Sequence, residues 1–187
     1  MQPPNICAPI DEFMRIFFSF LIFASTLVAQ PKRPFPVVEA TITEMREALD
    51  QGRTTSRELV TQYLVRVALY ENKLHAVITV NPHVLDEADQ RDRERAQGKP
   101  RGPLHGIPIA LKDNILTHDI ITTGGALAFE NYLPPYDATL VKNLRDAGAI
   151  IIAKPTLSEL ANWVAGAPMP MPANYNAVRV LPPARKT

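Results

Sequence analysis

The stretch from Gly102 to Ile115, GPLHGIPIALKDNI, restricts the fold of this chain most tightly. Ile107 to Leu111 is a short apolar run, entered through Gly102-Pro103 and Gly106 and left through Asp113-Asn114. Turn-forming residues on both sides of such a run mark a buried strand. With a strand period of two, Ile107, Ile109 and Leu111 share one face, and Pro108, Ala110 and Lys112 share the other. Neither face is polar before the lysine. A strand apolar on both faces belongs in a sheet covered on both sides, and in such α/β sheets ligands gather at the carboxyl ends of the strands. Lys112 stands at that end. It is either a strand-terminal lysine that snorkels into water, or an amine desolvated enough to lose proton affinity and act as a general base.

A second unit of the same kind follows. Asp137 is expected to cap a helix from Ala138 to Ala147, with Gly148 closing it and Ala149 to Ala153 forming another buried strand. Strand, helix and strand predict a right-handed parallel crossover. The return strand also ends in a lysine, Lys154. Were the two strands neighbours, both amines would crowd one sheet edge and lower each other's pKa. Residue chemistry alone does not choose between them.

Upstream, Thr43 is expected to open a helix with Met45, Ala48 and Leu49 inward and Gly52 beyond its end. Thr55 and Glu58 have capping-box spacing, and Leu59, Val60, Tyr63, Leu64 and Val67 recur at helical spacing to about Tyr70. That stripe is core packing. Ala76 to Val80 reads as a strand by its β-branched content, and Asn81-Pro82 as the start of a helix reaching about Gln97, stopped by Gly98. Glu87 to Arg91 and Asp89 to Arg93 have favourable i,i+4 order, so the RDRER run is expected to be a solvated face. Its mixed signs argue against a nucleic-acid patch.

Composition narrows the class further. With 46% hydrophobic and 21% charged residues and a net charge of +1, the chain has the make-up of a soluble globular protein, and nothing in it points to nucleic acid. His75, His83, His105 and His118 lack metal-ligand spacing and read as structural. The only cysteine, Cys7, precedes any folded part, so neither a disulfide framework nor a cysteine metal site is expected.

The amino-terminal region has its own logic. Arg15 to Gln30 carries one positive charge, an apolar or hydroxyl run from Ile16 to Val28 and a small residue, Ala29, which is a secretory signal pattern. Asp11 and Glu12 do not suit a positive leader, so Met14 is the expected start, residues 1–13 being a mis-annotated upstream extension. Residues 14–29 are the expected signal peptide, 30–40 a proline-rich linker, and 41–178 the expected folded domain. Export to a periplasm or the exterior follows, with no lasting membrane insertion once the signal is cleaved.

The segment around Lys112 resembles the opening motif of the amidase signature family, serine hydrolases that cleave carboxamides through a Ser-cis-Ser-Lys triad. The likeness continues through Thr122-Thr123-Gly124-Gly125, Pro134 to Ala138 and AGAIIIAKPTLSELANWV from Ala147 to Val164, over roughly residues 40 to 178, and is strongest to the peptide-amidase-like subgroup. It implies an α/β fold, the N-terminal part of the amidase signature fold, with a mixed sheet core covered by helices. It selects Lys112 as the catalytic base and puts Thr122, Thr123, Gly124 and Gly125 in a candidate active-site loop, where an ordinary flexible turn is the competing reading. Small-molecule or peptide amides are the implied substrates, and no metal or cofactor is required.

After Val178 the likeness stops. The tail RVLPPARKT is basic and broken by proline, and a frameshift or premature end is the expected cause. The family's G-G-S-S-G motif, source of the bridging cis-serine and the nucleophile, has no counterpart. Ser19, Ser25, Ser56 and Ser158 lie in no such loop, and Thr156 with Glu159 has capping-box spacing that makes Ser158 a first-turn helix residue. The isolated chain is therefore expected to be inactive. The competing expectations are an exported, non-catalytic α/β fragment that binds a partner, a pseudogene product, and activity only by complementation with a separate C-terminal half.

Overall fold

A computed structural model describes residues 34–161. The expected signal peptide, the region from Asn162 to Val178 and the basic tail lie outside them. The elements are α1 (Ile42–Asp50), α2 (Ser56–Leu74), β1 (Val77–Val80), α3 (Val84–Ala96), β2 (Pro108–Ala110), a 3-10 turn (Leu127–Phe129), α4 (Thr139–Asp146) and β3 (Ile150–Pro155). The strands form one mixed sheet in the order β1-β3-β2, with β3 antiparallel to β1 and parallel to β2. The parallel β2–α4–β3 unit anticipated from the sequence is present.

Backbone pairing outlasts the regular part of β2. Leu104 and Gly106 donate to Ala147 and Gly148, Leu111 N–H donates to Ala153 at 3.0 Å, and Asp113 N–H donates to Pro155 at 3.3 Å. The segment carrying Lys112 is thus held along β3 on both sides of the lysine. Gly148 permits the tight entry into β3: its φ is +91°, and an added Cβ would lie 2.7 Å from His105 Cα.

Two apolar clusters cover the central strand and a third lies beside it. Val60, Val84, Ala88, Ile150, Ile152 and Ala153 join α2 and α3 to one face of β3. Leu111, Ile120, Val141 and Ile151 join α4 and the segment after β2 to the other. Val37, Met45, Leu49, Leu59 and Ile107 seal α1 against α2 and the start of β2. Each fully buried Ile or Leu contributes about 1.5–3 kcal/mol relative to exposure. Ile107 and Leu111 are buried as the period of two demands, but Ala110, on the opposite face, is exposed. Cover on both faces is complete for β3 and one-sided for β2.

Several boundaries move for local reasons. The first helix is capped by Thr41, not Thr43, through a reciprocal box with Glu44. The Thr55–Glu58 box forms as expected, but α2 runs to Leu74, where His75 in the left-handed region ends it. Asn81 stops β1 rather than starting α3: its side chain accepts from His83 N–H at 2.9 Å and donates to Ile151 O at 2.8 Å. Asp137 does not cap α4, because its carboxylate is taken by His118, and Ala138 occupies the cap position. Thr156 N–H goes to Ala76 O, and the described residues end in a 3-10 turn over 159–161, so the Thr156–Glu159 helix start is not formed there.

The RDRER run is a polar joint between elements rather than a solvated face. Arg91 is buried and donates to Gly148 O at 3.2 Å. Asp92 accepts from the N–H groups of Ser56 at 2.7 Å and Arg57 at 3.0 Å, placing a carboxylate from α3 on the N-terminus of α2. Glu94 binds Arg101 and Arg91, and Arg95 reaches Asp50 and His105 O. The anticipated i,i+4 pairs are replaced by these longer-range ones, Asp89 pairing with Arg57.

Candidate active site

The two strand-end lysines have opposite environments. Lys112 lies two residues past β2 and is exposed. Lys154 is fully buried within β3. Strict alternation would set Lys154 opposite Ile151, three residues before it, but the β2–β3 register slips there: Ile109 faces Ile151, and Ala110 faces Ala153. The extra residue, Ile152, turns Lys154 to the side where Ile151 packs. There its amine donates to Ile115 O at 2.5 Å and Thr122 Oγ1 at 2.8 Å, with Asp113 Oδ1 at 3.7 Å.

Of the two readings open for a strand-end lysine, Lys112 is the solvent-facing one, and desolvation falls on Lys154 among the described residues. Burial lowers the Lys154 pKa, while Asp113 and then Asp119 oppose the shift. Mutual depression by the two lysines, anticipated if the strands were neighbours, is not its cause.

Asp113 organises the candidate loop. It is fully buried, and its Oδ2 accepts from both the N–H and the hydroxyl of Thr123. Its carbonyl accepts from Gly124 N–H at 3.0 Å, and Thr123 Oγ1 accepts from Gly125 N–H at 3.0 Å. Thr122 and Thr123 are buried, and Gly124 and Gly125 have φ of +60° and +71°. An added Cβ at Gly125 would meet Leu157 O at 3.0 Å. The loop expected to be flexible is therefore tied down on both sides. The carboxylate that anchors it directly follows Lys112, so the loop and the strand-end lysine share one support. The sequence showed Asp113 only as a turn residue; its neighbouring lysine and the lysine ending the adjacent strand were the available signal.

No serine among the described residues is paired with a lysine. Ser56 is buried at the start of α2, Ser158 is half-buried, and neither is hydrogen-bonded to a lysine among the described residues. The histidines divide as well. His105 is buried, with Nε2 facing Arg91 O at 2.9 Å and Nδ1 accepting from Arg101 N–H at 3.1 Å, so it is a neutral structural ring whose pKa burial lowers. His118, Asp119 and Asp137 do come together, their ligand atoms within 4.8 Å of one another, a grouping the sequence spacing did not reveal. Arg145 holds Asp119 through two contacts of 2.7 and 2.8 Å and approaches Asp137 at 3.2 Å. Burial works against ionised Asp137, but hydrogen bonds from His118 and the charge of Arg145 hold its pKa below the usual range. These carboxylates already have cationic partners.

The family model for Amidase matches residues 58–179, a span that includes all but the first two residues of α2, the sheet, both lysines and the candidate loop. The chain belongs to the amidase family. A glutamyl-tRNA(Gln) amidotransferase subunit of Natranaerobius thermophilus is 40% identical over 124 residues, covering 66% of this chain and 25% of that relative. The peptide amidase of Stenotrophomonas maltophilia superposes with a TM-score of 0.66 and 45% identity, over 69% of this chain and 27% of its own. An amidase family protein of Bacillus anthracis gives 0.68 and 32%, over 76% and 28%. This amidase-family chain thus spans about a quarter of the length of the relatives it matches, and its mixed sheet with covering helices is the corresponding part of their α/β fold.

Proposed function

We propose that this chain supplies the lysine-bearing part of an enzyme that hydrolyses carboxamide bonds, with Lys112 as general base of a Ser-cis-Ser-Lys mechanism. The difference in access between the two lysines carries this reading. A base must reach the proton it removes. Lys154 is sealed, its amine committed to Ile115 O and Thr122 Oγ1, whereas Lys112 is accessible at the carboxyl end of a parallel strand beside an anchored loop. The names peptide amidase and glutamyl-tRNA(Gln) amidotransferase, borne by relatives, support amide chemistry in general.

In the proposed mechanism, the Lys112 amine takes a proton from a bridging serine. That serine deprotonates a nucleophilic serine as its oxygen attacks the amide carbon, and backbone N–H groups hold the oxyanion. The C–N bond breaks, ammonia or an amine leaves with a proton, and water cleaves the acyl-enzyme. Both serines belong to a G-G-S-S-G loop that this sequence does not contain, and nothing among the described residues covers Lys112. The chain alone is accordingly proposed to be inactive. Its test is ammonia release from a peptide carboxamide by the chain alone and by the chain joined to the remainder of the S. maltophilia peptide amidase. Turnover by the chain alone would refute the mechanism.

Export is proposed on separate grounds, the apolar run Ile16 to Val28 followed by Ala29. Among the described residues no helix is long and apolar enough to cross a membrane. N-terminal sequencing of the secreted chain, starting at or near Gln30, is the expected result; retention of Met14 on a cytoplasmic product would count against it.

A further inference from the structure

A cavity of about 340 Å³ lies at the entry to β2, the end of the strand opposite Lys112. Arg46 and Asp50 of α1 and Arg95 of α3 line it, together with the turn that leads into the strand. Charge at this place is unbalanced. Arg95 is spoken for, its Nη1 donating to Asp50 Oδ1 at 2.5 Å and its Nη2 to His105 O at 2.9 Å. Arg46 stands four residues before Asp50, but a cation N-terminal to its acid is the poorer i,i+4 order, and Asp50 pairs with Arg95 instead. Among the described residues Arg46 therefore has neither an ion pair nor a hydrogen bond. With His105 neutral, two guanidiniums and one carboxylate leave the lining a net charge of one positive unit. Gly102, half-buried in the same lining, has an N–H with no acceptor among the described residues.

We infer that this cavity is a binding site for a small organic carboxylate, separate from the amide-cleaving site and independent of the role of Lys112. The free guanidinium of Arg46 presents a planar fork of donors that matches a carboxylate bidentately. Arg95, held in place by Asp50 and His105 O, adds fixed positive charge without offering its own fork. The charge balance selects a monoanion: one positive unit is neutralised by one carboxylate, whereas a phosphate dianion would add repulsion from Asp50, whose side chain is 64% exposed. The volume selects an organic body, because it falls in the range of small-molecule sites and exceeds what a bare ion fills. Pro100 and Pro103, which also line the cavity, supply apolar surface for that body. Arg46 is exposed, so the attraction is screened by salt and the affinity is modest, with a Kd of about 1–10 mM at low ionic strength.

The test titrates the full 187-residue chain with sodium benzoate, a planar carboxylate on an apolar body, and follows nitrogen–proton correlation spectra. Sodium chloride and sodium phosphate at matched ionic strength are the comparisons. Benzoate is expected to move the Arg46 Nε–H and Gly102 N–H signals along a saturating curve, while chloride does not and phosphate binds more weakly. Arg46→Gln should weaken benzoate binding at least about fivefold, and Arg46→Lys, which keeps the charge and loses the fork, should fall between the two. Arg66→Gln, on α2 and outside the lining, should leave binding unchanged. Circular dichroism of each variant separates lost binding from lost folding, and the wild-type shift map decides the matter should Arg46→Gln unfold. Shifts that rise without saturating, equal shifts with chloride, tighter binding of phosphate than of benzoate, shifts centred away from Arg46 and Gly102, or a folded Arg46→Gln chain that binds like the wild type would each overturn the inference.

Discussion

Lys154 Nζ lies 3.7 Å from Asp113 Oδ1, and both side chains are fully buried. This ion pair joins the central strand to the loop behind Lys112. Breaking a buried pair by removing one partner leaves an uncompensated charge and typically costs about 3–5 kcal/mol. Lys154→Met and Asp113→Asn are each expected to lower stability by an amount in that range, with the double variant losing less than the sum. A double-mutant cycle from urea unfolding measures the coupling; simple additivity would mean that the two groups do not interact.

Gly148 separates a conformational demand from a steric one. Gly52 has φ +64° with nothing within 4 Å of the place an added Cβ would take, whereas at Gly148 the added carbon would strike His105. Gly52→Ala is expected to cost about 1–2 kcal/mol for the left-handed backbone alone. Gly148→Ala adds overpacking and should cost roughly 3 kcal/mol or more. Equal thermal shifts would contradict the close approach.

The carboxylate of Asp92 is predicted to act as a cap supplied from another helix. Asp92→Ala removes the acceptor of two N–H groups at the start of α2 and should destabilise by about 1–2 kcal/mol. Asp86→Ala, in the first turn of α3, serves as comparison. If both variants shift the urea midpoint equally, Asp92 has no special role.

Acid should weaken the fold through His105. Burial lowers the folded-state pKa of this imidazole, so the unfolded chain takes up the proton more readily. Its contribution is therefore full above the unfolded value, about 6.5, and declines as the pH falls through that value toward the folded one. Glu94, held below its usual range chiefly by its hydrogen bond from Arg101, has its effect only at lower pH. Urea midpoints of the wild type should drop between about pH 7.5 and 5.5, and those of His105→Asn should drop less. A wild-type midpoint that rises on acidification would reverse the sign.

The sequence made the alternation of β2 and the capping box of α2 legible because each depends on residues within one turn or one strand. The parallel pairing of β2 and β3 was legible too, from a helix between two apolar runs. What escaped were features set by distant partners. Asp137 has the chemistry of a cap, but His118 claims it. Arg91 looks like a surface charge until Gly148 O meets it. The slip at Ile152, which decides where Lys154 points, depends on how two strands align rather than on either alone. The candidate loop was placed by resemblance, and its rigidity follows from Asp113, which the sequence presents only as part of a turn.

The most direct measurement is ammonia release from a C-terminally amidated peptide by this chain assembled with the remainder of the S. maltophilia peptide amidase, with Lys112 intact or replaced by alanine. General-base catalysis is worth about 10²- to 10⁴-fold. The wild-type assembly is expected to turn over and Lys112→Ala to lose at least about a hundredfold in kcat with the complex still formed. An intact assembly that is inactive with Lys112 present, or as active with alanine in its place, would contradict the assignment of Lys112 as the base.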